Sequence, residues 1–308
     1  MVDVRFPPSP GRTRCRRRGP RSQKSLLRRS RLRETILGRQ PPSGSPGESG
    51  LEPLVFDMKV TTLSLNIRGF LHHQTELEAF LRVHGLPSIV GITETLLDAS
   101  TKNIYLSEYV LVSRLDRRAG TGRGGGIALF VREEFESRLV HVGDSEISER
   151  SWHILHSDIG PISVGLWYRP PCYGEVQSII EFEAELQMNT SSSIGSIVIG
   201  DMNVRHKAWL QYSNGTTPEG TALFQVCARQ GLQQLVRSPT RDKYLLDLVL
   251  TDLPQISKVK VMSKISDHNM VFVEIQIKVQ ISKQVTRPCW IWKQAEWSSL
   301  RARFSTTN

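Results

Sequence analysis

Five apolar runs in this sequence each deliver a residue able to do acid–base or metal chemistry. The run 62–65 leads to Asn66, 89–93 to Glu94, 162–167 to Tyr168, 197–199 with Gly200 to Asp201 and Asn203, and the segment before Ser266 to Asp267 and His268. Strands buried on both faces read as short continuous apolar runs. In open α/β sheets ligands bind outside the carboxyl ends of such strands. Any one of these acids alone is an ordinary capped turn or surface loop. Delivered together in the same way, an amide, several acids, a phenol and an acid–imidazole pair converge on a metal-assisted hydrolytic site.

Composition bounds what the rest of the chain can be. Its 308 residues suffice for one large domain or two small ones with a substantial buried core. No apolar run approaches the roughly 18 residues of a membrane span, so a soluble protein without a membrane partner is expected. Cys15, Cys172, Cys227 and Cys289 are scattered without a C-x-x-C pair, which fits neither a disulfide framework nor a zinc site. With no apolar signal core at the N-terminus, a reducing compartment is expected, and the sequons at Asn189 and Asn214 read as chance matches.

Charge is unevenly spread. Residues 1–50 hold 12 arginines and Lys24 against Asp3, Glu34 and Glu48, a net +10 that equals the net charge of the whole chain, so the remainder is formally neutral. A segment rich in Arg, Pro, Ser and Gly cannot offset its ordering entropy, and residues 1–53 read as a disordered basic arm. Such a cluster suits phosphate backbones or a nuclear address, and equally a solvated tail.

The elements that must position the candidate residues alternate between strands and helices. Strands are expected at 60–65, 87–93, 109–113, 127–131, 152–156, 162–167, 197–199, 245–250 and 271–277. Helices are expected at 74–84, with Leu77, Phe80 and Leu81 on one face; at 175–188, with Ile179, Phe182 and Leu186; and from Thr217-Pro218 to Gly231, with Leu223, Val226 and Cys227 inward. The strands 152–156 and 162–167 should pair across Gly160-Pro161. Gly120, Gly122 and Gly125 match a dinucleotide fingerprint in spacing, but they lead into a strand and are read as a hairpin loop. Two comparable halves with many strands predict an α/β fold, a four-layer α/β/β/α sandwich of two mixed sheets packed face to face with helices outside.

Asn66-Ile67-Arg68-Gly69, Thr93-Glu94, Tyr168-Arg169-Pro170-Pro171, Gly200-Asp201-Met202-Asn203, the run from Leu246 and Asp247 to Leu250, and Ser266-Asp267-His268 stand in the order of the endonuclease/exonuclease/phosphatase superfamily. The chain resembles that superfamily over residues 60–277. Within it, the chain looks most like the endonuclease of non-LTR (LINE-like, Jockey-type) retrotransposons, through Gly124-Gly125-Gly126-Ile127-Ala128, Ser238-Pro239-Thr240-Arg241 and a tail containing Trp290, Trp292 and Trp297. The resemblance implies a domain at 54–281 followed by a connector at 282–308 that stops before any polymerase.

It also implies roles. Glu94, with Asn66 and Asp267, is the expected ligand set of a Mg²⁺ ion, which favours hard oxygen ligands; Mn²⁺ is an admissible substitute. Asp201 is the expected general base, with Asn203 holding the water or a phosphate oxygen. His268, held by Asp247, would donate to the phosphate, and Asp267 is counted among the catalytic group. Tyr168 would donate to the phosphate or the leaving oxygen. Arg68, Arg169, Arg205 and Lys207 are the expected nucleic-acid contacts. Relatives that repair abasic DNA usually carry an acid where Arg68 stands, so one acidic ligand fewer is expected. The implied activity is that of a Mg²⁺-dependent DNA endonuclease in the nucleus. It would nick DNA to leave a 3′ hydroxyl for a reverse transcriptase supplied in trans. Other readings are an RNA or phospholipid phosphodiesterase or phosphoinositide phosphatase of the same superfamily, and an inactive remnant that only binds nucleic acid.

Overall fold

Among the described residues, fifteen elements follow the alternation of apolar runs and turn signals. The structure, a computed structural model, describes residues 59–117, 124–135, 137–143, 145 and 147–278. The basic arm, the Gly120 to Gly122 turn, the C-terminal connector, Cys15 and Cys289 lie outside the described residues.

One sheet holds β1 (Lys59–Asn66), β2 (Ile89–Thr93), β3 (Tyr109–Leu115), β4 (Ile127–Arg132), β11 (Ile256–Lys264) and β12 (Asn269–Lys278), in the order β11-β12-β1-β2-β4-β3. The other holds β5 (Ser137–Val142), β6 (Glu149–Ser157), β7 (Gly160–Tyr168), β8 (Gly195–Asp201), β9 (Gln233–Gln234) and β10 (Asp247–Thr251), in the order β5-β6-β7-β8-β10-β9. Both sheets are mixed. β1 and β2 are parallel, as are β7 and β8, and the remaining pairs are antiparallel.

The two-residue period of the strands sorts their side chains between layers. Leu63, Leu65, Val90, Ile92, Ala128 and Phe130 face outward to α1 (Phe70–Val83), against Phe70, Leu77 and Leu81. Their alternates Ile89, Leu129, Val131, Val271 and Val273 join the core shared with Leu166, Ile197 and Ile199 of the second sheet. On the far side of the second sheet lie α2 (Gln177–Thr190) and α3 (Pro218–Gln230). Phe182 of α2 stacks on Trp167 at 4.3 Å and on Trp152 at 6.1 Å. Each such buried aromatic contributes about 1.5–3 kcal/mol. The result is the expected four-layer sandwich.

The differences from the sequence reading have local causes. α1 starts one turn earlier than expected because the amides of Gly69 and Phe70 bond Glu94 O and Thr95 O at 2.9 Å, fixing the helix entry on the end of β2. The β6–β7 hairpin turns at Asp158-Ile159, with Ser157 opposite Gly160 and His156 opposite Pro161. Gly200 stays in strand register opposite Leu248. It adopts φ +139, and a Cβ there would lie 1.9 Å from Trp167 O, so glycine is required by close approach to β7. β5, β9 and β11 were not expected from the sequence.

Candidate active site

The carboxyl ends of β1, β2, β7 and β8 meet the starts of β10 and β12. This geometry places Asn66, Glu94, Tyr168, Asp201, Asp247 and His268 around one centre, drawn from both sheets. Asn66 is the link. Its Nδ2 donates to Glu94 Oε1 and to Asp201 Oδ2, each at 2.9 Å, tying the first sheet's acid to the second sheet's acid. Tyr168 Oη donates to the same Glu94 oxygen at 3.2 Å. Burial, with Glu94 and Asp201 nearby, pushes the Tyr168 phenol well above its ordinary value, so it stays a donor.

His268 Nδ1 lies 2.8 Å from Asp247 Oδ2, and its Nε2 faces Asp201 Oδ2 at 4.0 Å. Burial opposes the charge on His268, but Asp247, Asp201 and Asp267 outweigh it and raise the imidazole to about 9. Asp201 is 1% exposed. Burial and the neighbouring Asp247 push its carboxyl up, to about 7, against the opposing pull of His268 and Asn66. A base poised near neutral pH and a charged donor beside it suit general acid–base work.

The backbone is specialised at the same points. Arg68, Glu94, Leu96 and Asn203 all have left-handed φ values, of 47°, 50°, 54° and 47°. A non-glycine residue in that region costs on the order of 1 kcal/mol, and such residues cluster where a fold fixes a functional geometry. Asp201 Oδ1 accepts the Asn203 amide at 3.2 Å, while Asn203 Nδ2 donates to Arg169 O at 3.0 Å. Ser266 Oγ donates to Asn66 O at 2.5 Å and accepts the His268 amide at 3.2 Å, holding the end of β1 against the start of β12 within one sheet. Buried Thr240 Oγ1 accepts the amides of Leu246 and Asp247 at 3.1 and 3.0 Å, which fixes the start of β10.

Three expected roles change. Arg169 is not a nucleic-acid contact: it is fully buried, donating to Ser178 Oγ, Cys172 O and Glu175 O, and it braces the loop before α2. Asn66 presents its amide nitrogen to the two carboxylates, and its Oδ1 accepts the Arg68 amide at 3.3 Å, so it couples the acids and does not stand as a free oxygen ligand. Asp267 is taken up by two guanidiniums, Arg68 Nη1 at 2.7 Å and Arg241 Nη2 at 2.9 Å on one oxygen. Burial works against its ionisation, but Arg68, His268 and Arg241 hold the carboxyl below its ordinary value. Arg205 and Lys207 are exposed. Arg205 lies over the Tyr244 ring at 5.1 Å and, with Asn203, Arg241 and Cys172, lines a cleft of about 440 Å³. Arg241, Tyr244, Ser266 and Thr240 were not assigned roles from the sequence. Their signal is long-range pairing, such as the bridge of Arg241 to His268, which spacing along the chain does not reveal.

Buried His268 Nε2 and Asp247 Oδ1 have no hydrogen-bond partner, and Asp201, Asp247 and His268 present ligand atoms within 4.8 Å of one another. The carboxylates of Asp201 and Asp247, together with Glu94, are hard oxygen donors that fit a divalent cation such as Mg²⁺ or Mn²⁺, and His268, held charged by Asp247, stands beside them as a hydrogen-bond donor.

The fold is similar to that of solved proteins of the endonuclease/exonuclease/phosphatase type, such as one from Bacteroides thetaiotaomicron, with a TM-score of 0.52 at 15% identity, covering 73% of this chain and 98% of that one. Residues 162–272 match the family described as "Endonuclease-reverse transcriptase", in keeping with the retrotransposon resemblance. No curated protein matches the sequence. The endonuclease domain of TRAS1, a telomere-specific non-LTR retrotransposon, superposes with a TM-score of 0.54 at 17% identity, covering 70% of this chain and 98% of that one. An AP endonuclease from Archaeoglobus fulgidus gives 0.51 at 15% identity, covering 70% and 99%. The human Nocturnin catalytic domain gives 0.53 at 12% identity, covering 73% and 97%. At these identities the likeness is one of fold.

Proposed function

We propose that this chain is a divalent-metal-dependent endonuclease that hydrolyses DNA phosphodiester bonds, nicking target DNA for retrotransposition. The observation that carries the reading is the single centre formed by Asn66, Glu94, Tyr168, Asp201, Asp247 and His268, residues up to 202 positions apart in sequence. Glu94 would hold the cation, with Asp201, Asp247 and His268 near it, and the cation would supply Lewis acidity toward a phosphate oxygen.

The chain's own groups supply the rest. Asp201, once deprotonated, takes the proton of the attacking water, while the backbone N–H of Asn203 fixes its carboxylate. Charged His268 donates from Nε2 to a phosphate oxygen, with Asp247 accepting at Nδ1. Tyr168 donates its phenolic proton toward the leaving oxygen. The cleft carrying Arg205, Arg241 and Tyr244 next to this centre favours a nucleic acid over a phospholipid, because it offers guanidinium charge and an aromatic face together. The likeness to the TRAS1 endonuclease domain and the family match support the retrotransposon setting, in which a 3′ hydroxyl would be left to prime a reverse transcriptase and the chain would act on nuclear DNA.

The test uses the full chain on supercoiled plasmid with Mg²⁺. Nicked circles that a polymerase can extend are expected. Asp201→Ala and His268→Ala should each nick about 10²–10⁴-fold more slowly. Equal nicking by the intact and substituted proteins would sink the catalytic reading.

A further inference from the structure

Arg68 is the odd charge in an acidic centre. Its guanidinium sits between two carboxylates, with Nε 3.8 Å from Glu94 Oε2 and Nη1 2.7 Å from Asp267 Oδ2. Its backbone is left-handed at φ 47° and its amide is held by Asn66 Oδ1, so the strand end aims the side chain across the site. The side chain is nevertheless 46% exposed, which leaves it an outward path. Arg241 reaches the same Asp267 oxygen at 2.9 Å, and buried Asp267 Oδ1 has no partner.

The charges nearly cancel without any ion. Glu94, Asp201, Asp247 and Asp267 face Arg68, Arg241 and His268. A divalent cation is held by anionic oxygens, and a guanidinium already lying on those oxygens opposes it. We infer that Arg68 is a displaceable internal counter-ion: it weakens divalent-cation binding at Glu94 and Asp267 until a substrate phosphate draws the guanidinium away. This rests on the metal-dependent reading above. By linkage, phosphate binding and cation binding then favour each other, since each removes what hinders the other. The position thus sets cation affinity and couples it to the arrival of a polyanion, a role distinct from holding the phosphate alone.

The experiment measures Mn²⁺ binding to the full-length protein by electron paramagnetic resonance, without DNA. Proteins compared are the unaltered chain, Arg68→Gln, Arg241→Gln and Glu94→Gln, each checked for an unchanged melting profile. Arg68→Gln should bind Mn²⁺ about tenfold more tightly, the scale of one unit charge repelling a doubly charged ion through a near-bulk dielectric. Arg241→Gln, which spares Glu94, should gain less. It also serves as a second removal of charge from Asp267 should Arg68→Gln fold poorly. Arg68→Gln binding no tighter than the unaltered chain, while Glu94→Gln abolishes binding, overturns the counter-ion and leaves the metal reading standing. Mn²⁺ binding that survives Glu94→Gln, or is missing from every protein, overturns both.

Discussion

Replacing Asp247 by Asn isolates the charge that keeps His268 protonated. The substituted side chain retains an oxygen that can accept from Nδ1–H of His268, now 2.8 Å from the Asp247 carboxylate, but loses the negative charge. In the intact site the imidazole is raised to about 9 against the opposing effect of burial. Without Asp247 that burial remains, so the group should fall to its ordinary value of 6.5 or below. At pH 7.5 the protonated fraction would drop from about 97% to about 10% or less, so the nicking rate should fall at least roughly tenfold. The deficit should shrink as pH is lowered toward 6, where both proteins carry the proton. The sign for stability agrees: a raised folded-state value contributes stability that is full below about pH 6.5 and is lost as pH rises through about 9, and the Asn variant lacks it. Plasmid nicking at matched Mg²⁺ from pH 5.5 to 9.5, with a direct imidazole titration by NMR, reads both quantities. A rate ratio that stays flat across this range, or an alkaline limb that stays near 9 in the variant, would refute the reasoning.

Two further outcomes test the surroundings of the site. Gly124→Ala would put a methyl group 2.8 Å from Tyr168 Oη, forcing the phenol off Glu94. Loss of one hydrogen bond of about 1.5 kcal/mol predicts about a tenfold slower rate with little change in melting temperature, and no further loss when Tyr168→Phe is added. Unchanged activity in Gly124→Ala would disprove that packing role. Among the described residues, buried His153 bonds serine hydroxyls, Ser113 and Ser151 at 3.1 Å, and burial pushes it down to about 4. The unfolded chain therefore takes the proton first, and stability declines as pH falls from about 6.5 to 4, by about 3 kcal/mol. Urea unfolding at pH 7 and pH 4.5 should show a smaller decline in His153→Gln, and an equal decline in both proteins would contradict the assignment.

The parts of the fold legible in the sequence are those where one signal dominates. β2, β7 and β8 are largely apolar runs because both faces are covered, and the polar residue at each end marks the side where the site lies. β11 was missed because it is an edge strand. Lys258, Lys260 and Lys264 occupy its exposed positions, as suits an edge that must not pair further, and they dilute the apolar alternation. Arg169 was misassigned for a geometric reason. It follows Tyr168 directly, and alternate side chains leave a strand in opposite directions, so the neighbour of a site residue points away from the site. The partners of Asp267 were not legible either. Arg68 lies 199 positions away in the chain, and only the pairing of β12 with β1 brings them together.

The centre straddles a seam. Glu94, Asn66 and His268 ride on one sheet, while Tyr168, Asp201 and Asp247 ride on the other. Slight slippage between the two slabs would therefore silence hydrolysis while each slab kept its own hydrogen-bonded ladder. Turnover should fade ahead of bulk β-structure on warming, which makes activity the more sensitive gauge of whether the two halves are seated.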